Sequence, residues 1–205
     1  MRPHIRDPLE QEFIYRYGVA MASWAGIEEI LGQWFAEITG MPPAMARSVY
    51  FSAKNFNSRA EKLEAAIPHS SIDPDVLAAL KLMLDKAIKY SSFRNRIAHG
   101  HVGMIGDASG TRYVLGESRN HPFDRFESGI TVQQLIVAAS NFDKLATITG
   151  NLMLDFIVNP SLDREPECTP QEYLEPVLML PNQPDSETPS QKQLGQQRQR
   201  RSSRP

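Results

Sequence analysis

The segment PLEQEFIYRYGVAMASWAGIEEILGQWFAEIT, residues 8–39, sets Leu9, Phe13, Tyr17, Ala20, Trp24, Ile27, Leu31, Trp34 and Ile38 at intervals of four and three. That spacing puts the apolar side chains on one side of a helix, whereas a half-buried strand needs alternation by two. At 1.5 Å per residue such a helix runs about 48 Å. One apolar stripe of that length has to be covered by other helices, so the chain is expected to fold as a helical bundle. Gly40 is placed to serve as the left-handed residue after the helix, and Pro42-Pro43 blocks continuation.

Partners for this helix follow in order. A short helix is predicted from Pro43 to about Lys54. A third runs to Ile67, with Asn57 or Ser58 as its cap. The fourth opens with Asp73 as N-cap and Pro74 at the first helical position. Its stripe is Leu77, Leu80, Leu84, Ala87, Ser91, Arg94 and Ala98, and it is expected to reach His99 with Gly100 as its stop. HVGMIGDASGTRYVLGE then reads as a β-hairpin over about 101–116. SRNHPFDRFESG is a loop. Thr131 and Gln134 form a T-x-x-Q capping box. They open a last long helix carrying Leu135, Ala139, Phe142, Leu145, Thr149, Leu152 and Phe156, which Pro160 is expected to end.

The texture changes after that. Eight of the 15 prolines lie in 160–205, and the end, QKQLGQQRQRRSSRP, holds five basic residues and no acidic one. This composition predicts a mostly disordered tail over 159–205, with QEYLEPVLMLP as an apolar island that docks on the body or on a partner. The expected fold class is therefore all-α: an antiparallel up-and-down bundle over 1–158, with an inserted hairpin and a tail.

Composition narrows the function classes. A net charge of −2 exerts no global pull on nucleic acid or anionic membrane, so any phosphate binding must be local. A single cysteine, Cys168, leaves no disulfide framework and no cysteine zinc cluster, and fits a reducing, cytoplasmic setting. The N-terminus carries no apolar h-region. No window approaches the ~20 apolar residues needed to span a bilayer, so no membrane role is expected. His69, His101 and His121 with Asp107 or Asp124 match no metal-ligand spacing, and neither metal nor cofactor is expected.

One cluster stands out: SSFRNRIAHGH, residues 91–101, at the end of the fourth helix. Asn95 and His99 are four apart and share a face. Arg94 is five before His99, about 140° away around an ideal helix. The two converge on one small target only if the helix end distorts or a second copy supplies the missing group. Arg94 also falls on the apolar stripe, where a permanent charge needs a partner. Arginine offers a planar fork for phosphate, and histidine can move a proton. Without acidic metal ligands nearby, that pair suits cleavage of RNA by its own 2′-hydroxyl. Histidine would take the 2′-hydroxyl proton or protonate the leaving oxygen, and arginine would offset charge gathering on phosphorus.

RNRIAHG at the end of a long helix in a small bundle resembles the HEPN superfamily, whose motif is an arginine, usually a polar residue, and a histidine after four to six intervening positions. Trp24, Ile27 and Glu28, in W-x-x-I-E, look like the first helix of bacterial HEPN-like proteins. The resemblance covers about residues 8–158. It implies a metal-independent endoribonuclease, often a toxin or antiviral effector. It also implies a homodimer whose two motifs form one cleft, RNA as substrate and an antitoxin protein as a possible partner. By this resemblance Arg94, Asn95 and His99 are the catalytic positions, and Arg96 and His101 are possible binding residues. Arg94 or Arg96 paired with His101 is the rival spacing. The other reading open to the cluster is a non-catalytic HEPN-like dimerisation or binding module. There Arg94 and Arg96 would complement the helix dipole and His99 would cap the last carbonyls.

Overall fold

A computed structural model describes residues 7–107, 110–117, 126, 129–162, 165–166 and 168–181. The first stripe forms helix α1, Pro8–Thr39. Asp7 caps it by accepting the Leu9 N–H at 3.1 Å, and Gly40 closes it at φ 63°. Phe13, Ala20, Trp24, Ile27, Leu31, Trp34 and Ile38 are all buried, while Leu9 lies exposed at the helix start.

Helix α2, Pro43–Phe51, stops three residues short of the expected Lys54. The Ser52 hydroxyl and the Lys62 ammonium both donate to the Val49 carbonyl, at 2.7 and 2.6 Å, and so satisfy the helix end from outside. Helix α3 is Phe56–Ala66, and its cap is Asn55 rather than Asn57 or Ser58. Asn55 accepts the Ser58 N–H at 2.9 Å, which frees the next residue, Phe56, to enter the core. After a 3-10 turn at Ile67–His69, helix α4 runs Pro74–His99 with Asp73 accepting the Asp75 N–H at 2.8 Å.

The hairpin belongs to a three-stranded antiparallel sheet in the order β1-β2-β3, made of β1 Gly100–Asp107, β2 Gly110–Glu117 and β3 Ile130–Thr131. β1 follows α4 with no connecting loop. α4 ends at His99 with Gly100 as its C-cap, as expected, and Gly100 does this in an extended conformation, its N–H donating to the Ile97 carbonyl. Its missing side chain is the point: a Cβ there would come within 2.4 Å of Leu115 Cγ. Leu115 and Tyr113 of β2 pack against the bundle core, and Tyr113 Oη donates to Asp7 at the start of α1 at 3.4 Å.

Helix α5, Val132–Met153, opens with the expected Thr131–Gln134 capping box. The helical run it begins ends at Ser161, one residue past the expected Pro160. The helix widens into a π turn at Leu154–Val158 and continues as α6, Asn159–Ser161. Proline removes a donor and crowds the carbonyl four residues back, and the wider turn relieves both.

Direction can be read from contacts. Trp24 meets Phe142 at 5.2 Å, Gly26 faces Ala146, Ile30 faces Gly150 and Trp34 Nε1 donates to the Thr149 carbonyl at 3.2 Å. From Trp24 to Ile30 both numbers rise together, so α1 and α5 run parallel. α4 runs against them, with its end, β2 and the N-termini of α1 and α5 gathered at one end of the molecule. The architecture is thus mostly helical with a small three-stranded antiparallel sheet.

The apolar island docks on the body. A 3-10 turn at Pro170–Tyr173 leads into α7, Leu174–Met179. Val177 and Leu180 are buried against α4 and α5. Tyr90 Oη donates to the Pro181 carbonyl at 2.8 Å, Lys86 Nζ donates to the Leu180 carbonyl, Gln171 donates to Asp75 at 3.0 Å and Tyr173 donates to Asp155. The body boundary expected at 158 therefore moves out to Pro181. The remainder of the expected tail, 182–205, lies outside the described residues.

Candidate active site

Arg94, Asn95, Arg96 and His99 all sit in the last turns of α4, and His101 is the second residue of β1. α4 stays a regular α-helix through His99. The helix end does not distort, so Arg94 and His99 keep the separation around the helix expected from their spacing. Arg94 is half-buried, whereas Asn95, His99 and His101 are exposed.

The surroundings of Arg94 are unusual for a cation. Its guanidinium lies over the indole of Trp24, 5.9 Å from the ring centroid, and Nη1 donates to Asn95 Oδ1 at 3.2 Å. Nε is buried with no acceptor. Among the described residues no carboxylate pairs with Arg94; the ion pairs there are Arg16–Glu12, Arg47–Glu29 and Arg59–Glu28. A buried donor left unpaired costs on the order of 1–3 kcal/mol, and more for charged groups. Among the described residues, therefore, Arg94 is a permanent positive charge with no carboxylate partner.

Trp24 extends this picture. It is buried, and its Nε1 also lacks an acceptor. Sequence spacing gave Trp24 only a core role, because it lies 70 positions before Arg94 on another helix. The packing makes it the platform under the guanidinium as well, a contact worth roughly 0.5–2 kcal/mol. Arg96 stacks on Phe93 at 5.4 Å, one face away.

Glu28, third of the W-x-x-I-E residues, does structural work. It accepts from Arg59 at 2.6 Å and ties α1 to α3. Arg59 and Arg47 flank the Phe51 ring at 5.0 and 4.9 Å, and Arg47 in turn holds the Glu29 carboxyl below the usual range through hydrogen bonding. Burial pushes the nearby Tyr50 hydroxyl well up, with Glu28 adding to the shift and Arg59 opposing it. These groups consolidate α1, α2 and α3 and leave the α4 end to Arg94.

Among the described residues no group of three His, Cys, Asp or Glu side chains is placed to hold a metal ion, and no helix is long and apolar enough to cross a membrane. His121 and Asp124, weighed as metal ligands with His69, His101 and Asp107, lie outside the described residues. No protein-family model, curated protein or solved structure matches the chain.

Proposed function

We propose that the protein is a metal-independent endoribonuclease of the HEPN type, with a HEPN-like helical bundle, acting as a homodimer through a composite site of Arg94, Asn95 and His99. The observation that carries this reading is the half-buried Arg94, without a carboxylate partner among the described residues, set five residues before an exposed histidine on an undistorted helix end. An uncompensated guanidinium is a receptor for an anion, and its planar fork matches phosphate. Because Arg94 and His99 diverge on one helix, a second copy has to complete the site. Two α4 ends facing each other would set the arginine of one chain opposite the histidine of the other.

The chemistry follows from these groups. His99 accepts the proton of an RNA 2′-hydroxyl, the 2′-oxygen attacks the adjacent phosphorus, the P–O5′ bond breaks, and the 5′-oxygen leaves with a proton taken from water. The products are a 2′,3′-cyclic phosphate and a 5′-hydroxyl. Arg94 offsets the charge on the phosphorane oxygens. Asn95 orients the Arg94 fork through its 3.2 Å contact. In this reading Arg96 and His101 would contact flanking phosphates. Toxin or antiviral action, and an antitoxin partner, would follow from such an activity.

The test is cleavage of single-stranded RNA in EDTA. Cyclic-phosphate ends, sparing of DNA and a loss of about 10²–10⁴ in His99→Ala are expected. If His101→Ala abolishes cleavage and His99→Ala does not, the rival spacing is the correct one. The seat of Arg94 on the buried Trp24 ring favours one alternative, in which the arginine is a structural contact of a non-catalytic dimerisation or binding module. That reading takes over if wild-type protein cuts no RNA with or without added metal.

A further inference from the structure

The second half of α4 is where the bundle concentrates positive charge. Between Lys81 and His99 the helix carries Lys81, Lys86, Lys89, Arg94 and Arg96 against one carboxylate, Asp85. The other bundle helices, α1, α2, α3 and α5, together hold five cations and eight carboxylates, so the excess belongs to α4 alone. Three of those five, Arg16, Arg47 and Arg59, are held in ion pairs, whereas among the described residues Lys81 and Lys89 enter none. Burial lowers the pKa of Lys86 and the Lys89 ammonium adds to the shift, as expected where like charges sit together.

The helix arranges part of this charge in a row. At 3.6 residues per turn, Lys81, Asp85, Lys89, Ser92, Asn95, Arg96 and His99 fall within about 120° of one another. Lys81, Lys89, Ser92, Asn95 and His99 are exposed, and Asp85 and Arg96 are half-buried. Arg96 is steadied by its stack on Phe93 at 5.4 Å. The row is about 27 Å long from Lys81 to His99, the rise of 18 residues, and that length matches about eight stacked nucleotides at ~3.4 Å each. It ends on the histidine of the candidate site. Arg94 lies off the row, about 140° from His99, so a polyanion on this face meets one chain's histidine and not its arginine.

We infer that the outer face of α4 is a phosphate track, on which Lys81, Lys89 and Arg96 hold single-stranded RNA and lead it to His99. This rests on the ribonuclease reading and deepens it by naming what holds the substrate outside the reacting phosphate. The contacts are to the backbone, so the track is indifferent to sequence. Ser92 and Asn95 add neutral donors between the cations. Asp85, four residues from both Lys81 and Lys89, works against it.

The experiment uses the full-length chain and a fluorescent 20-nucleotide strand made entirely of 2′-O-methyl RNA, which has no free 2′-hydroxyl to attack. Binding is measured from 50 to 300 mM salt for wild type, Lys81→Gln/Lys89→Gln, Asp85→Asn and a control, Lys54→Gln/Lys144→Gln, which removes the same charge from exposed positions elsewhere. Glutamine forms helix about as well as lysine, so the fold is kept. Each phosphate contact contributes about 0.7 to the salt slope for single strands, so Lys81→Gln/Lys89→Gln should lose about 1.4 from its slope and bind on the order of tenfold more weakly. Asp85→Asn should bind about twofold more tightly. The control should keep the wild-type slope. An unchanged slope in Lys81→Gln/Lys89→Gln overturns the track, and an equal loss in the control overturns it by showing that net charge alone is read. Asp85→Asn binding no better than wild type overturns the path, because the strand then does not pass Asp85. If wild type does not bind the strand at all, the face serves an acidic protein instead and the proposal is overturned. Cleavage of ordinary RNA is scored separately. Track-dependent binding without cleavage sinks the ribonuclease reading and leaves the track standing, while cleavage with an unaltered salt slope does the reverse.

Discussion

Leu180→Ala reports on whether α7 belongs to the body. Leu180 is buried together with Val177, and the backbone that carries it is fastened by Lys86 and Tyr90. Truncating a buried leucine to alanine costs 2–5 kcal/mol, and a segment near the chain end can partly collapse into the gap, so the low end of that range applies, about 2–3 kcal/mol. For a chain of this size each kcal/mol moves Tm by roughly 2–4 °C, giving a fall of about 4–12 °C. Tyr90→Phe removes one hydrogen bond and should cost about 1 kcal/mol. The two changes act on one segment. If Leu180→Ala already frees it, the double variant should be less destabilised than the sum, with a coupling of at least 0.5 kcal/mol. Urea melts of the four proteins give the cycle, and limited proteolysis within 165–181 shows whether the segment has come loose. Strict additivity, with the segment equally resistant to protease in all four, would refute the argument that these contacts form one docked unit.

Three further outcomes follow from the same packing. Burial pushes the Tyr90 hydroxyl up to about 12, so the native state keeps a proton that the unfolded chain loses near pH 10. Its contribution is therefore full below pH 10 and lost as pH rises through 12, an alkaline loss on the order of 2–3 kcal/mol that Tyr90→Phe should remove from the pH–stability curve. Gly100→Ala should lower Tm by several degrees, because its Cβ would sit 2.4 Å from Leu115 Cγ, whereas Gly106→Ala, with open space around it, should be nearly neutral in the same scan. Asn55→Ala should cost about 1 kcal/mol in a chemical melt and Asn57→Ala much less, since Asn55 provides the α3 cap.

The long helices were legible because burial on one face imposes a period that the residues display directly, as in Phe13 to Ile38 and Leu135 to Leu152. The Asp73 and Thr131 caps were legible because their chemistry is local. Features set by distant chain segments were not. Gly100 is legible as the stop of α4, but the close approach of Leu115 that requires a glycine there is not. Pro160 is legible as marking the end of the last long helix, but the π turn at Leu154–Val158 just before it is not. The parallel run of α1 and α5 depends on where three intervening helices place the chain, and no local pattern encodes that. The site was half legible. Its arginine, asparagine and histidine lie within six residues, but the Trp24 platform and the lack of a carboxylate for Arg94 are properties of the packed bundle. The docked island was visible as apolar residues, and only its contacts with Lys86, Tyr90 and Asp155 show what it covers.

The central claim is that two copies build one RNA-cleaving site, and subunit mixing tests it most directly. Arg94→Ala and His99→Ala are purified separately, confirmed as folded by melting, then unfolded together and refolded at equal concentration. In a mixed dimer the intact arginine of one chain faces the intact histidine of the other, so one of two sites is whole. Random pairing makes half the dimers mixed, and RNA cleavage should return to about a quarter of the wild-type rate. Each variant refolded alone should stay inactive. If the mixture is as inactive as its parts while refolded wild type cleaves RNA, Arg94 and His99 act within one chain and the two-copy site is wrong.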